Sequence, residues 1–90
     1  VGYKLTIFRY YSTAELILNE GQVEIIGKNI STRLKVDLIQ QIEIEPLDDK
    51  QNHFTIITNN FVRRFPIKGN RELEKILRQK YPEKIKNVLQ

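Results

Sequence analysis

Cysteine, methionine and tryptophan are all absent from this 90-residue sequence, and its four glycines are scattered at positions 2, 21, 27 and 69. Without cysteine there is no disulfide to support a small core, no thiolate zinc site and no redox chemistry at sulfur. The single histidine, His53, lacks the further His or Cys partners that a mononuclear metal site of the usual kind requires. Unclustered glycines exclude a phosphate-cradling loop. No uninterrupted apolar run exceeds three residues, Leu16 to Leu18, which is far short of the ~20 needed for a membrane-spanning helix or of a signal-peptide core. The sequence therefore reads as a soluble chain without a cofactor.

What is present suits one small globular domain. Apolar residues make up 40% and charged residues 29%, too apolar for a disordered tail, and a chain of 90 residues supports one core and not two. A start at Val1 in place of Met suggests a domain cut from a longer parent, or a processed end. The net charge of +4 is unevenly placed: residues 1–60 carry six Lys/Arg against eight Asp/Glu, whereas residues 61–90 carry nine against three. A basic final third is attracted to phosphates, acidic lipid headgroups or acidic protein surfaces.

Period-2 alternation dominates the first two thirds. Ile30, Thr32, Leu34, Val36 and Leu38 share one side of a strand, with Ser31, Arg33, Lys35 and Asp37 on the other. Ile42 and Ile44 follow at the same spacing and read as the hairpin partner. A register of Val36 with Ile42 and Leu34 with Ile44 also sets Lys35 against Glu43 and Arg33 against Glu45, so both faces agree. Further strands are predicted over Tyr3–Tyr10, Ala14–Leu18, Gln22–Gly27, His53–Thr58 and Phe61–Ile67, for a total of seven. Gly21 ends a tight turn, Asn59 and Asn60 form another, and Pro46–Asn52 is a polar loop. In the last strand Arg63 shares parity with Phe65 and Ile67, a conflict that a bulge or an edge position resolves.

Gly69 stops that strand and Asn70 caps a helix predicted over 70–81, with Glu72 and Glu74 in its first turn and Glu74 spaced to pair with Arg78. Leu73, Ile76, Leu77 and Tyr81 form its apolar stripe. Pro82 separates it from a short helical extension over 83–89 with apolar residues Ile85, Val88 and Leu89.

Chemistry-bearing arrangements are scarce. Ser12, Ser31 and His53 lack a glycine elbow around either serine. Asp48 and Asp49 lie on one turn without the other oxygens of a calcium loop. No catalytic residue and no small-molecule substrate follow. Arg63, Arg64 and Lys68 neighbour Phe61 and Phe65, and basic residues beside aromatics hold phosphates and stack bases. The phenylalanines share parity with Ile67, however, which assigns them to the core and ranks nucleic acid third among the partners.

The segments "LKVDLIQQIEIEP", "HFTIITNN" and "FPIKGNRELEKIL", spanning Leu34 to Leu77, resemble the second half of small bacterial pleckstrin-homology-like and GRAM-like domains. The resemblance implies a mainly β chain, a partly open barrel or sandwich of about seven antiparallel strands plugged by one C-terminal amphipathic helix. It implies a binding or assembly module and not an enzyme. Phosphoinositide-binding members carry a basic motif in the first hairpin; here Lys4 and Arg9 are present, but "YYST" stands where a further Arg-x-Arg belongs. Two surfaces follow as expectations. Arg63, Arg64, Lys68 and Arg71 are the candidate contacts for an anionic membrane surface, and Ile85, Val88 and Leu89 the candidate dock for a protein partner or a second copy. The expected location is the cytoplasm, with the inner face of the membrane as the alternative.

Overall fold

A computed structural model describes residues 2–9, 12–58 and 63–88 of the chain. Among them the order is β1 (Tyr3–Arg9), β2 (Ser12–Asn19), β3 (Gln22–Gly27), β4 (Ser31–Lys35), β5 (Ile39–Pro46), β6 (Gln51–Thr58), β7 (Arg63–Asn70), α1 (Arg71–Lys80) and β8 (Ile85–Asn87). The chain is mainly β with one C-terminal helix. Its strands form one sheet in the spatial order β4-β3-β2-β1-β7-β6-β5-β8, which leaves β4 and β8 as edges and is not closed into a barrel.

The sheet has two four-stranded halves that join where β1 meets β7. β1 pairs with β2 along its whole length, and among the described residues Phe8 and Lys68 form its register pair with β7. The two halves fold toward each other across that junction and share one core, in which Ile7, Leu16 and Ile25 from one half meet Ile42, Phe54 and Ile67 from the other. Eight strands laid flat would make a slab about 10 Å thick. The molecule instead measures 29 × 29 × 28 Å.

Local sequence explains most elements. β2 alternates cleanly, with Ala14, Leu16 and Leu18 buried and Glu15, Ile17 and Asn19 half-buried. Gly21 supplies the left-handed residue of the β2–β3 turn at φ 83°. Gly69 serves a different purpose: a Cβ there would stand 2.5 Å from Leu73 Cδ2 and 3.1 Å from Phe54 Cε2, so a bare backbone lets α1 seat against the sheet. Asn70 Oδ1 accepts the Leu73 N–H at 3.0 Å, the expected N-cap. Leu73, Ile76, Leu77 and Tyr81 are all buried in the shared core, so the stripe does stopper the bent sheet.

The proposed hairpin between residues 30–38 and 42–44 does not form. β4 pairs with β3 (Val23 with Leu34, Glu24 with Arg33), whereas β5 pairs with β6 and β8. A 3-10 turn over Val36–Leu38 carries the chain from one half to the other, and the Val36 N–H donates to the Gly21 carbonyl at 3.0 Å. A bulge between Ile39 and Gln41 then lets Ile39 point inward together with Ile42 and Ile44 despite its opposite parity. Leu38, assigned by alternation to the inner row, is 57% exposed. Apolar alternation reports which face a residue takes in the pleat; it carries no information on which strand lies alongside.

The count of seven antiparallel strands also changes. The segment expected to be a helix over 83–89 is a 3-10 turn, Pro82–Lys84, followed by β8, an eighth strand that lies parallel to β5. Three register pairs hold it: Ile42 with Ile85, Glu43 with Lys86, and Ile44 with Asn87. Seven residues after Pro82 are too few for a stable free helix, and an unpaired edge of β5 offers immediate backbone partners.

Candidate binding surface

The four predicted anion contacts do not form one patch. Arg63 and Arg64 are both exposed, but as neighbours on β7 they take opposite faces of the sheet. Arg63 keeps the parity of buried Phe65 and resolves the conflict by lying over that ring, its guanidinium carbon 5.2 Å from the centroid. No bulge in the β6–β7 register is required. Arg64 reaches Glu43 at 3.4 Å on the outer face, where Gln41 Nε2 donates to the same carboxylate at 3.2 Å. Ile57, flanked in register by Gln41 and Arg64, is only 1% exposed there.

Arg71 is engaged in structure. Its Nε donates to the Asp49 carbonyl at 2.9 Å, and its Nη1 lies 3.8 Å from Glu74 Oε1. The loop it ties is already organised by Asp48, whose carboxylate accepts the Lys50 and Gln51 N–H groups at 2.7 and 2.8 Å. Those backbone bonds, more than the burial that opposes them, hold the Asp48 carboxyl below the usual carboxylate range. Lys68 is exposed on the outer face beside Phe8, His53 and Pro66. His53 lies inside β6, between Glu45 and Lys68, and not at a strand edge. Of the first-hairpin basic residues, Lys4 reaches Glu15 at 2.9 Å and Arg9 lies over Phe65 at 5.9 Å.

The tail residues are occupied as well. Ile85 packs against the core, and the Val88 N–H donates to the Ile44 carbonyl at 2.9 Å. Leu89, the third candidate, lies outside the described residues, as do Tyr10, Asn59, Asn60 and Phe61.

A different surface gathers charge. Where the sheet stays open, a groove of about 450 Å³ runs between β4 and the facing ends of β6 and β7, lined by Arg33, Leu34, Lys35, Leu38, Thr58 and Arg63. Three cations and an exposed leucine meet there, and no carboxylate lines it among the described residues. Arg33 leans on Glu24 at 2.9 Å, with 68% of its side chain still exposed, a surface pair that exchanges readily for another anion. Lys35 stands opposite Gln22. β4 contributes the remaining ingredient, since among the described residues no strand lies along its outer edge.

Only Arg63 of this group was singled out from sequence. The expected hairpin register matches Arg33 and Lys35 with Glu45 and Glu43 and so accounts for both cations as cross-strand pairs, whereas in the structure Arg33 stands opposite Glu24 and Lys35 opposite Gln22. Leu38 offered no signal, because its parity matched the inner row. The chain matches no protein-family model and no curated protein.

Proposed function

We propose that the chain is a non-catalytic protein-binding module of pleckstrin-homology-like architecture, which takes an extended acidic segment of a partner along β4. The observation that carries this reading is the coincidence of an open strand edge with a groove holding Arg33, Lys35 and Arg63 beside exposed Leu38. An added strand gains main-chain hydrogen bonds from the edge, and alternate side chains find either the cations or the leucine. Complementary charge also speeds encounter and sets register.

A fluorescein-labelled peptide of alternating Glu and Val residues is a suitable probe, with anisotropy as the readout. Replacing Arg33, Lys35 and Arg63 together by Glu should weaken its binding by at least about tenfold, while Arg64→Glu and Lys68→Glu leave it nearly unchanged. Equal affinity of the triple variant and the parent chain would remove the β4 groove as the site. Phosphatidylserine vesicles form the second arm: capture of vesicles but not of the peptide, lost on the same triple reversal, would favour the membrane surface instead.

A further inference from the structure

We infer that β8 is an exchangeable strand, and that the β5 edge is a docking site for residues 82–88 of a second copy of this chain. This surface is separate from the β4 groove, and neither reading depends on the other.

Three features of the tail support exchange. First, the core is closed without it: among the described residues every buried core residue lies at or before Tyr81, and of the described tail Ile85 packs against that core, half-buried. A protomer whose tail has left therefore keeps its fold. Second, the contacts that hold the tail among the described residues can be made between two copies as well as within one. They include the three register pairs to β5, the Val88 N–H to the Ile44 carbonyl, Lys84 Nζ to the Ile39 carbonyl at 2.7 Å, and Arg78 to Asn87 Oδ1. Third, the donor and acceptor have opposite charge. β5 carries Glu43 and Glu45, the tail carries Lys84 and Lys86, and Glu43 stands opposite Lys86 in register. That pattern selects a basic parallel strand, which the chain itself supplies.

The connector has the form of a hinge. Pro82 and Glu83 are exposed in the 3-10 turn, which one backbone bond closes, from the Lys84 N–H to the Tyr81 carbonyl at 3.0 Å. Opening that turn frees the tail while buried Tyr81 stays in place. The four steps from Tyr81 to Ile85 then extend at most about 14 Å, so exchange requires the two β5 edges to face each other across a two-fold axis. Such an isologous dimer repeats contacts already present in the monomer, the usual route of strand exchange.

The absence of native cysteine permits a direct test. Single variants Glu43→Cys and Lys86→Cys are mixed at high concentration, unfolded and refolded together, and oxidised. Exchange predicts a disulfide joining the two different chains at least tenfold above a control mixture of Glu20→Cys with Lys86→Cys, because Glu20 lies in the β2–β3 turn, outside every strand that pairs with β5 or β8. Yield no higher than the control would overturn the inference. A chain carrying both Glu43→Cys and Lys86→Cys, oxidised when dilute, closes within itself and should remain monomeric in sedimentation at concentrations where its reduced form dimerises. A locked chain that still dimerises would also overturn strand exchange, and either result leaves the peptide-binding reading of β4 to its own assay.

Discussion

Glu74 gathers three polar partners, Asn52, Arg71 and Arg78. Asn52 Nδ2 donates to its Oε1 at 2.5 Å and Arg78 Nε to its Oε2 at 2.9 Å, so one carboxylate links β6 to successive turns of α1. Arg78 continues the chain of contacts to Asn87 in β8. Partial burial raises the carboxyl pKa, but the hydrogen bonds from Arg78 and Asn52, with the charges of Arg78 and Arg71, outweigh it and leave the group below its ordinary value of 4.5. A carboxyl depressed on folding contributes stability that is present above its unfolded pKa and is lost as the pH falls through the folded one. Urea unfolding should therefore show stability falling on acidification below about pH 4.5. Glu74→Gln should lose about 1–2 kcal/mol at pH 7 and show a shallower acid slope. An acid slope identical to that of the parent chain would mean that another carboxylate is responsible.

Among the elements, α1 carries the heaviest packing duty. Its N-cap, its acidic first turn (Glu72, Glu74) and its basic last turn (Arg78, Lys80) all favour helix locally, yet ten residues are too few to hold a helix in water without tertiary support. That support comes from Leu73 and Leu77, each 1% exposed, and from the bare Gly69 that lets Leu73 approach. Leu77→Ala should cost about 2–5 kcal/mol, a large share of the ~5–15 kcal/mol typical of a small domain. Thermal melting followed by circular dichroism should show a Tm drop of roughly 4–8 °C per kcal/mol. A drop of a degree or less would show that the helix is not part of the core. The neighbouring tail illustrates the opposite case. Its apolar residues Ile85 and Val88 suit helix or strand equally, and proximity to the β5 edge decides for strand.

The whole molecule is an open sheet with two ends, and each end is protected differently. β8 is only three residues long, while β4 places Arg33 and Lys35 on its solvent face. Short edges and edge charges both discourage uncontrolled pairing between copies. Replacing Arg33 and Lys35 together by Val should convert β4 into a flat, β-prone edge, and static light scattering at high concentration should then rise well above that of the parent chain. No change in scattering would indicate that the fold shields this edge by other means.

The mainly β class, the Gly21 turn, the Asn70 cap, the Glu74–Arg78 pair and the apolar stripe of α1 were all legible in the sequence. Each depends on residues within four or five positions of one another, where spacing alone fixes geometry. The junction of β1 with β7 at Phe8 and Lys68, the partner of β4, the inward turn of Ile39 and the seat of β8 were not. These are choices among competing long-range pairings that satisfy the same alternation, and only the joint packing of all the elements around one core distinguishes them. The basic groove belongs to this second kind: Arg33, Lys35 and Arg63 lie up to thirty positions apart in the chain, and it is the opening left between β4 and the ends of β6 and β7 that brings their charges together.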